Sequence, residues 1–461
     1  MVRKSVHETS AGRRLSPRRA ALEVLLRHRR TGRFVDDVLA EGAPRNLSAA
    51  DRALLTALVY GTVRHRRTLD HLVAAFSSRD RSRIHPTIGE ILRLGYFQIL
   101  YLRRVPDYAA CDESVELAGA VNRRSAGFVN AVMRGLLRGI EKKPAPTGPE
   151  ARFLPTPDGQ GVLFGRDMFP KCGENPVSAL GILHSYPDWL VARWIKQHGR
   201  DMASEICRAG NAPMPLSIRV NRIRGTVAEV RTELLQGGVE SRPGGQPWSL
   251  ALESPGDLTR LSGFRAGRFQ VQDDTAMRAV AALEPVDGER ILDACASPGG
   301  KTSHLKEEAP GSKVAACDMS PEKLSRVGET CSRLGHAGVR LICADMARPA
   351  FKRDCFDAIL LDAPCSNTGV LARRPDARWR IRPKDLEALS ALQGRLLSAS
   401  LDLLKPGGRL VYSTCSIEPE ENEHVVQKTL QERPRWRLED TELTLPTSQA
   451  GGGFYARIGR P

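Results

Sequence analysis

The sequence predicts a multidomain protein. It comprises an all-α N-terminal domain over residues 1–140, a Pro/Gly-rich linker or insertion at 141–176, a small α/β subdomain over 177–262, and an α/β domain with a mostly parallel sheet over 263–461. Three observations predict it. Apolar residues recur at helical spacing through the first 140 residues, with almost no period-two alternation. Seven prolines then fall between 141 and 176, which excludes a long helix there. From about Gly263, short apolar runs alternate with helical stretches, the pattern of repeated βα units whose strands are covered on both faces. A chain of 461 residues, 41% hydrophobic, can fill two or three cores.

Taken in order, residues 1–15 read as a basic tail without fixed structure. Ser16-Pro17 opens a helix, with Ser as N-cap and Pro in the first turn, and Ala21, Val24, Leu25 and His28 share one stripe. Ser48-Ala-Ala-Asp51 resembles a capping box ahead of Leu54, Leu55, Leu58 and Val59. Further helices are expected at 68–76, 86–102, 107–121 and 126–139, about six in all. In the proline-rich stretch, Phe153-Leu154 and Val162-Leu-Phe164 flank Asp158-Gly159, the signature of a small hairpin. A helix opens at Tyr186-Pro-Asp-Trp189, a strand at 216–220, a helix at 226–235 and a short strand at 250–252. In the last domain, strands are expected at 290–294, 313–317, 339–343, 358–361, 410–413 and 454–458. Helices are expected at 301–308, 321–334, 383–404 and 418–431.

The formal net charge is +16, which points to a polyanionic partner. The excess is localised. Residues 1–140 hold 25 Lys+Arg against 13 Asp+Glu, so +12 of the +16 lies there, nearly all of it arginine. Arg64, Arg66, Arg67, Arg79, Arg81, Arg83, Arg103, Arg104, Arg123 and Arg124 read either as solvated helix faces or as a surface that grips RNA phosphates. Arg219, Arg222 and Arg224 can touch RNA or can equally be plain surface charges. Ten cysteines without a Cys-x-x-Cys or a zinc-spaced Cys/His cluster read as reduced thiols, mostly core filler, with no metal site. The N-terminus has no apolar signal segment and no run is long enough to span a bilayer. A monomeric cytoplasmic protein without a membrane partner is therefore expected.

The richest stretch starts at Ile291-Leu292, breaks at Pro298-Gly299-Gly300 and continues as a helix. Strand, glycine turn, helix brings backbone close to a ligand at a helix N-terminus. Gly-x-Gly-x-x-Gly is missing, as is the P-loop spacing, so dinucleotide and nucleoside triphosphate sites are disfavoured. Asp293 and the wide turn suit a ligand with a cationic or amino-acid end, such as S-adenosylmethionine. An ordinary glycine turn would look the same. The other strand ends carry Asp318, Asp345, Asp362-Ala-Pro-Cys365 and Thr414-Cys415. One ligand at the carboxyl edge of a parallel sheet can be reached by all of them. Asp318 is placed to take ribose hydroxyls, and Asp345 an adenine amino group. Two cysteines at adjacent strand ends beside a carboxylate point to nucleophilic chemistry, or to a redox pair.

Asp293-Ala-Cys-Ala-Ser-Pro-Gly-Gly-Lys-Thr302, Asp362-Ala-Pro-Cys-Ser-Asn-Thr-Gly369 and Tyr412-Ser-Thr-Cys-Ser-Ile-Glu-Pro-Glu-Glu-Asn422 together resemble the signature motifs of RNA cytosine-5 methyltransferases of the Sun/Fmu/Nop2 family. The likeness runs from about Gly263 to the C-terminus. Ser297 stands where the family more often has Ala. At the other end, Ala53-Leu-Leu-Thr-Ala-Leu-Val-Tyr-Gly-Thr-Val-Arg64 and Phe128-Val-Asn-Ala-Val-Met-Arg-Gly135 are similar to internal helices of the small RNA-binding factor NusB. These resemblances imply a NusB-like RNA-binding domain and a Rossmann-like class I methyltransferase domain. They imply S-adenosylmethionine as cofactor, and 16S ribosomal RNA, free or in an assembling small subunit, as partner. They also imply a methylated loop cytosine, conventionally numbered 967.

The family assigns the nucleophile to Cys415 and elimination with product release to Cys365, with Asp362 on the cytosine N3/N4 edge. It implies cofactor contacts from Cys295, Ala296, Ser297, Pro298, Gly299, Gly300, Lys301, Asp318, Asp345 and Asp362. Lys301 can be catalytic or merely position backbone. Three alternatives stand beside this reading: a different RNA target such as 23S ribosomal RNA or tRNA, a DNA cytosine-5 methyltransferase, and a non-catalytic assembly or antitermination factor. The DNA enzymes use Pro-Cys as nucleophile with a Glu-Asn-Val motif, which this chain lacks. The intact Cys365, Cys415, Asp362 and glycine turn weigh against a dead enzyme.

Overall fold

The computed structural model describes residues 16–460, apart from 45, 78, 80, 254 and 255 and the side chain of residue 81. The basic tail expected at 1–15 lies outside the described residues. The chain divides into two compact units, Met1–Arg200 and Asp201–Pro461.

The first unit opens with seven helices: α1 (Pro17–Thr31), α2 (Val35–Gly42), α3 (Ala49–Arg64), α4 (Arg66–Phe76), α5 (Pro86–Tyr101), α6 (Asp107–Val121) and α7 (Arg123–Gly139). Ser16 caps α1 through the Arg19 amide, and Gly32 closes it in the left-handed conformation. Ser48 caps α3 at the Asp51 amide. Helix α5 is the axis of the unit, buried from Ile88 to Leu100. Its close neighbours are small by necessity, since a Cβ at Gly61 would fall inside the Phe97 ring. Of these seven, the helix missing from the sequence reading is α2, which buries only Val35 and Val38, too few positions to show a period; the later helices over 176–183, 200–209 and 274–283 were not expected either.

Residues 141–176 hold more order than a linker. The expected hairpin is present as β2 (Phe153–Pro155) and β3 (Gly161–Phe164), with Gly159 at φ +75° in its turn. Strand β1 (Ile140–Ala145) completes a three-stranded sheet in the order β1-β3-β2. It was hidden because Pro144 breaks the strand signal, and a proline is tolerated only on such an edge. Lys143 fastens this sheet to the helices by donating to the Ile99 carbonyl (2.7 Å) and Asp107 (2.6 Å). Helices α8 (Pro176–Leu183) and α9 (Asp188–His198) complete the unit.

The second unit begins with α10 (Arg200–Ala209) and a four-stranded sheet, β4 (Leu216–Val220), β5 (Ser241–Pro243), β6 (Ser249–Leu252) and β7 (Phe269–Val271), in the order β5-β6-β4-β7, covered by α11 (Val227–Gln236). Strand β7 belongs to this sheet although it lies past residue 262. Being three residues long, it carried no period to read. A short α12 (Ser262–Arg265) precedes it.

The remaining strands are β8 (Arg290–Asp293), β9 (Lys313–Asp318), β10 (Arg340–Cys343), β11 (Phe356–Asp362), β12 (Leu404–Thr414), β13 (Arg437–Thr444) and β14 (Gly453–Gly459). They form one seven-stranded sheet in the order β10-β9-β8-β11-β12-β14-β13. The first five are parallel, and β14 and β13 return antiparallel. Alternate residues face opposite layers. Ile291, Val314, Leu360 and Val411 pack under α13 (Asp274–Leu283) and α14 (Gly300–Glu308). Leu292, Leu361, Leu410 and Tyr412 pack under α17 (Pro383–Leu401) and α18 (Glu423–Glu432). Helices α15 (Pro321–Leu334) and α16 (Ala377–Arg380) complete the unit. Strand β13 was missed because its sequence is a run of exposed charge, the mark of a protected sheet edge. Among the described residues, no helix is long and apolar enough to cross a membrane.

Strand order reverses between β8 and β11, so their outgoing chains diverge and open a crevice at the carboxyl edge. The glycine turn leaves β8, the Pro-Cys loop leaves β11 and the Thr-Cys loop leaves β12. All three motifs therefore surround one place.

Candidate active site

The turn after β8 is held on both sides: Ala294 N–H donates to Leu360 O (2.8 Å) and Ala296 N–H to Cys317 O (2.9 Å). Gly299 has φ +99°, and a Cβ there would lie 3.0 Å from the Val327 Cα, so only glycine fits. Gly300 faces open space. Asp293 is fully buried. Its Oδ2 accepts from Thr302 Oγ1 (2.6 Å), while Oδ1 finds no partner among the described residues. Burial pushes this carboxyl up to about 7, against the pull of Thr302. Cys295 lies in the same turn, its thiol also pushed up by burial and by the carboxylates Asp362, Asp293 and Asp318.

Asp318 ends β9 and accepts from the Ser320 amide (3.1 Å). Asp345 stands two residues past the end of β10, exposed, where it accepts from the Ala347 amide (2.9 Å). The Ala344 N–H bonds Asp318 O (3.2 Å), so the two acids leave neighbouring strands side by side.

Asp362 and Ser413 are register partners on β11 and β12, and Ser413 Oγ donates to Asp362 Oδ1 (3.0 Å). Lys301, in the first turn of α14, forms an ion pair with Asp362 Oδ2 at 2.8 Å. Burial opposes the ammonium, but the charge and hydrogen bond of Asp362 outweigh it and raise Lys301. The glycine turn is thereby tied to the Pro-Cys strand. Each carboxylate oxygen of Asp362 retains a second lone pair.

The two sulfurs stand 3.1 Å apart. The hydrogen bond from Cys365 lowers Cys415; burial and Asp362 oppose it, and Arg374 and Lys301 assist. The same bond raises Cys365, reinforced by burial, Cys415 and Glu421. The two thiols share one hydrogen bond that holds Cys415 below its ordinary value and Cys365 above it. When protonated, Cys415 instead donates to Asn367 Oδ1 (3.3 Å). Asn367 sits at φ +63°, a conformation asparagine tolerates better than most, and its amide donates to Cys365 O (2.8 Å). Asn367, Arg374 and Glu421 were not singled out from the sequence. Asn367 and Glu421 do lie within the motifs quoted above, but neither residue type marks itself there as a partner of the cysteine loops.

The arginines of the small sheet resolve differently. Arg219 is 0% exposed. It grips both oxygens of Glu307 on α14 (2.8 and 2.6 Å), Gly300 O (2.9 Å) and Ser303 Oγ (3.0 Å). It is a clamp on the glycine-turn helix, with no surface left for RNA. Arg224 donates to Ala266 O (2.6 Å), and Arg222 pairs with Glu308 and covers the Trp248 ring at 4.7 Å.

Known proteins share this arrangement over most of its length. "Probable ribosomal RNA small subunit methyltransferase B" of Bacillus subtilis is 32% identical over 92% of this chain and 90% of its own. "Ribosomal RNA small subunit methyltransferase B" of Citrobacter koseri is 36% identical over 90% and 92%. Residues 280–457 match the model of the family described as 16S rRNA methyltransferase RsmB/F. The chain belongs to the RsmB/F methyltransferase family. Its other parts match in the same sense: 15–138 the NusB family, and 186–259 the ferredoxin-like domain of RsmF/B-like methyltransferases. The structure of a methyltransferase homolog protein from Pyrococcus horikoshii matches at TM-score 0.56 and 28% identity, covering 62% of this chain and 99% of that one. The fold is thus NusB-like helices, a ferredoxin-like subdomain and a methyltransferase sheet, as the sequence predicts. An RsmB/F enzyme implies S-adenosylmethionine as methyl donor, and the residues fit it. The unpartnered, buried Asp293 Oδ1 suits an ammonium group, and the open face at Gly300 leaves room beside it.

Proposed function

We propose that this protein transfers a methyl group from S-adenosylmethionine to C5 of a cytosine in 16S ribosomal RNA, the loop cytosine numbered 967, through a covalent bond between Cys415 Sγ and C6. The observation that carries this reading is the Cys415–Cys365 pair beside Asp362, at the point where the strand order reverses. Cytosine C5 is a poor nucleophile. Addition of the Cys415 thiolate at C6 pushes the ring electrons toward N3 and makes C5 enamine-like. Asp362 holds the N3/N4 edge and favours that intermediate. When bound, S-adenosylmethionine supplies the electrophilic methyl group. The C5 proton then passes to solvent, its electron pair re-forms C5=C6, and the C6–S bond breaks with Cys415 leaving as thiolate, which the Cys365 thiol stabilises by its hydrogen bond from 3.1 Å.

Asp293 takes the donor's amino group, Asp318 its ribose hydroxyls and Asp345 its adenine amino group, along the turn Cys295–Lys301. The target base must be unstacked, so a loop or flipped cytosine is required. Exposed arginines of the first unit, Arg66, Arg79, Arg83, Arg104, Arg123 and Arg124 among them, supply phosphate contacts. The ten free cysteines suit a reducing compartment, which supports a cytoplasmic enzyme acting as a monomer on free RNA or an assembling subunit.

The test is methyl transfer from labelled S-adenosylmethionine to 16S RNA, with bisulfite mapping of the product. One new 5-methylcytosine at 967, lost with Cys415→Ala, is expected. Label in 23S RNA or tRNA would overturn the target, and no label in any RNA would favour a non-catalytic assembly factor.

A further inference from the structure

Behind the cysteines lies a carboxylate that the chemistry above does not use. Glu421 is 0% exposed and sits in the one-turn helix Pro419–Glu421 between β12 and α18. Four donors converge on it. Oε1 accepts from the Ser366 amide (2.9 Å) and Gln393 Nε2 (3.0 Å). Oε2 accepts from Ser416 Oγ (2.5 Å) and from Ser366 Oγ. Its own carbonyl takes the Tyr412 hydroxyl (2.5 Å). Ser366 follows Cys365 and Ser416 follows Cys415, so one side chain holds the residue after each cysteine. Gln393 extends the hold to Pro364 O (2.9 Å), the residue before Cys365. Burial raises the Glu421 carboxyl, and the Ser366, Ser416 and Gln393 donors pull against it. Four donors on two oxygens suit an acceptor-only, ionised carboxylate.

We propose that Glu421 is the positioning residue of the cysteine pair: its buried carboxylate ties the Pro-Cys loop to the Thr-Cys loop and sets the approach of the two sulfurs. This rests on the reading of Cys415 and Cys365 given above. The same negative charge adds to the hydrogen bond with Cys415 and to burial in raising Cys365. Glutamine at 421 keeps the shape but puts an NH2 where an acceptor faced serine donors, which pushes the loops apart.

The experiment uses the full-length protein and needs no RNA. Wild type, Glu421→Gln and Ser416→Ala are treated with diamide, and the Cys365–Cys415 linkage is quantified by peptide mass spectrometry. In parallel, the rate of Cys415 alkylation is followed against pH. The wild type is expected to form the disulfide readily. Glu421→Gln is expected to form it about tenfold more slowly, with the alkylation midpoint of Cys415 moved up by about one pH unit, a tenfold loss of thiolate well below the midpoint. Ser416→Ala, which removes one arm and leaves the carboxylate, is expected to fall between and keeps the test informative should Glu421→Gln fold poorly. Disulfide rates and pH midpoints equal to wild type in a folded variant overturn the proposal. A normal response here with methylation intact in Cys415→Ala would instead overturn the catalytic reading.

Discussion

One hydrogen bond acts in opposite senses on two thiols 3.1 Å apart, lowering Cys415 and raising Cys365, while burial pushes both up. In the proposed chemistry that asymmetry makes Cys415 the nucleophile and leaves the shared proton with Cys365. A second titration belongs to Asp293, whose folded carboxyl stands at about 7 against about 3.9 in an unfolded chain. Between those values the folded state binds the extra proton, so stability is full below the unfolded pKa and falls as pH rises to 7. The slope is on the order of 1 kcal/mol per pH unit. Chemical denaturation of the donor-free protein from pH 5 to 8 should show that decline, and Asp293→Asn should flatten it. A wild-type protein with stability level or rising across this window would contradict the assignment. Both cysteines and Asp293 were visible as strand-end residues in the sequence. Their inequality was not, because it arises first from the hydrogen bond between the two sulfurs and then from Arg374, Lys301 and Glu421, which meet only when separate segments come together.

At the scale of elements, parallel strands were the most legible part, since β8, β9, β11 and β12 are short apolar runs bounded by turns. Edge strands were the least. β1 carries a proline, β7 has three residues and β13 is exposed along most of its length with Arg437, Glu439, Asp440 and Glu442, so none shows the alternation that burial on one face produces. From the sequence Arg219 stands undecided between RNA and solvent, and neither holds. In Leu216-Ser-Ile-Arg-Val220 the alternation puts Arg219 with Ser217 on the polar face, and nothing in it shows that this face is buried as well. The hydrogen bond of Arg219 to Gly300 O and its paired hydrogen bonds to the Glu307 carboxylate fix the first turns of α14, hence the glycine turn. Arg219→Ala leaves the buried Glu307 with only His336, at 3.3 Å, as partner, and breaking such a buried pair costs about 3–5 kcal/mol. Thermal or denaturant unfolding should register that loss, with weaker S-adenosylmethionine binding by calorimetry. Arg219→Met with Glu307→Leu should recover most of the stability. A single variant as stable as wild type would show that the clamp holds nothing.

Over the whole molecule the charge is divided by task. Residues 1–140 carry +12 of the formal net charge of +16, while the crevice at the strand ends is lined by carboxylates. Several arginines of the first unit are spoken for: Arg93 is buried on Asp70 and Glu90, Arg67 pairs with Asp188, and Arg103 with Asp158. Exposed Arg123 and Arg124 at the start of α7 are better placed to meet phosphates. Charge reversal at both should weaken RNA binding and reduce the slope of log affinity against log salt by about 0.7–0.9 for each phosphate no longer neutralised, with S-adenosylmethionine affinity unchanged. Filter binding at several salt concentrations would read it, and an unaltered slope would move the RNA surface elsewhere. The account as a whole stands on the bond between position 415 and the RNA. Incubating Cys365→Ala with S-adenosylmethionine and the 16S substrate, then separating under denaturing conditions, should leave a stalled protein–RNA species whose cross-linked peptide contains Cys415. A species formed by Cys415→Ala instead, or a link mapped to position 365, would contradict it.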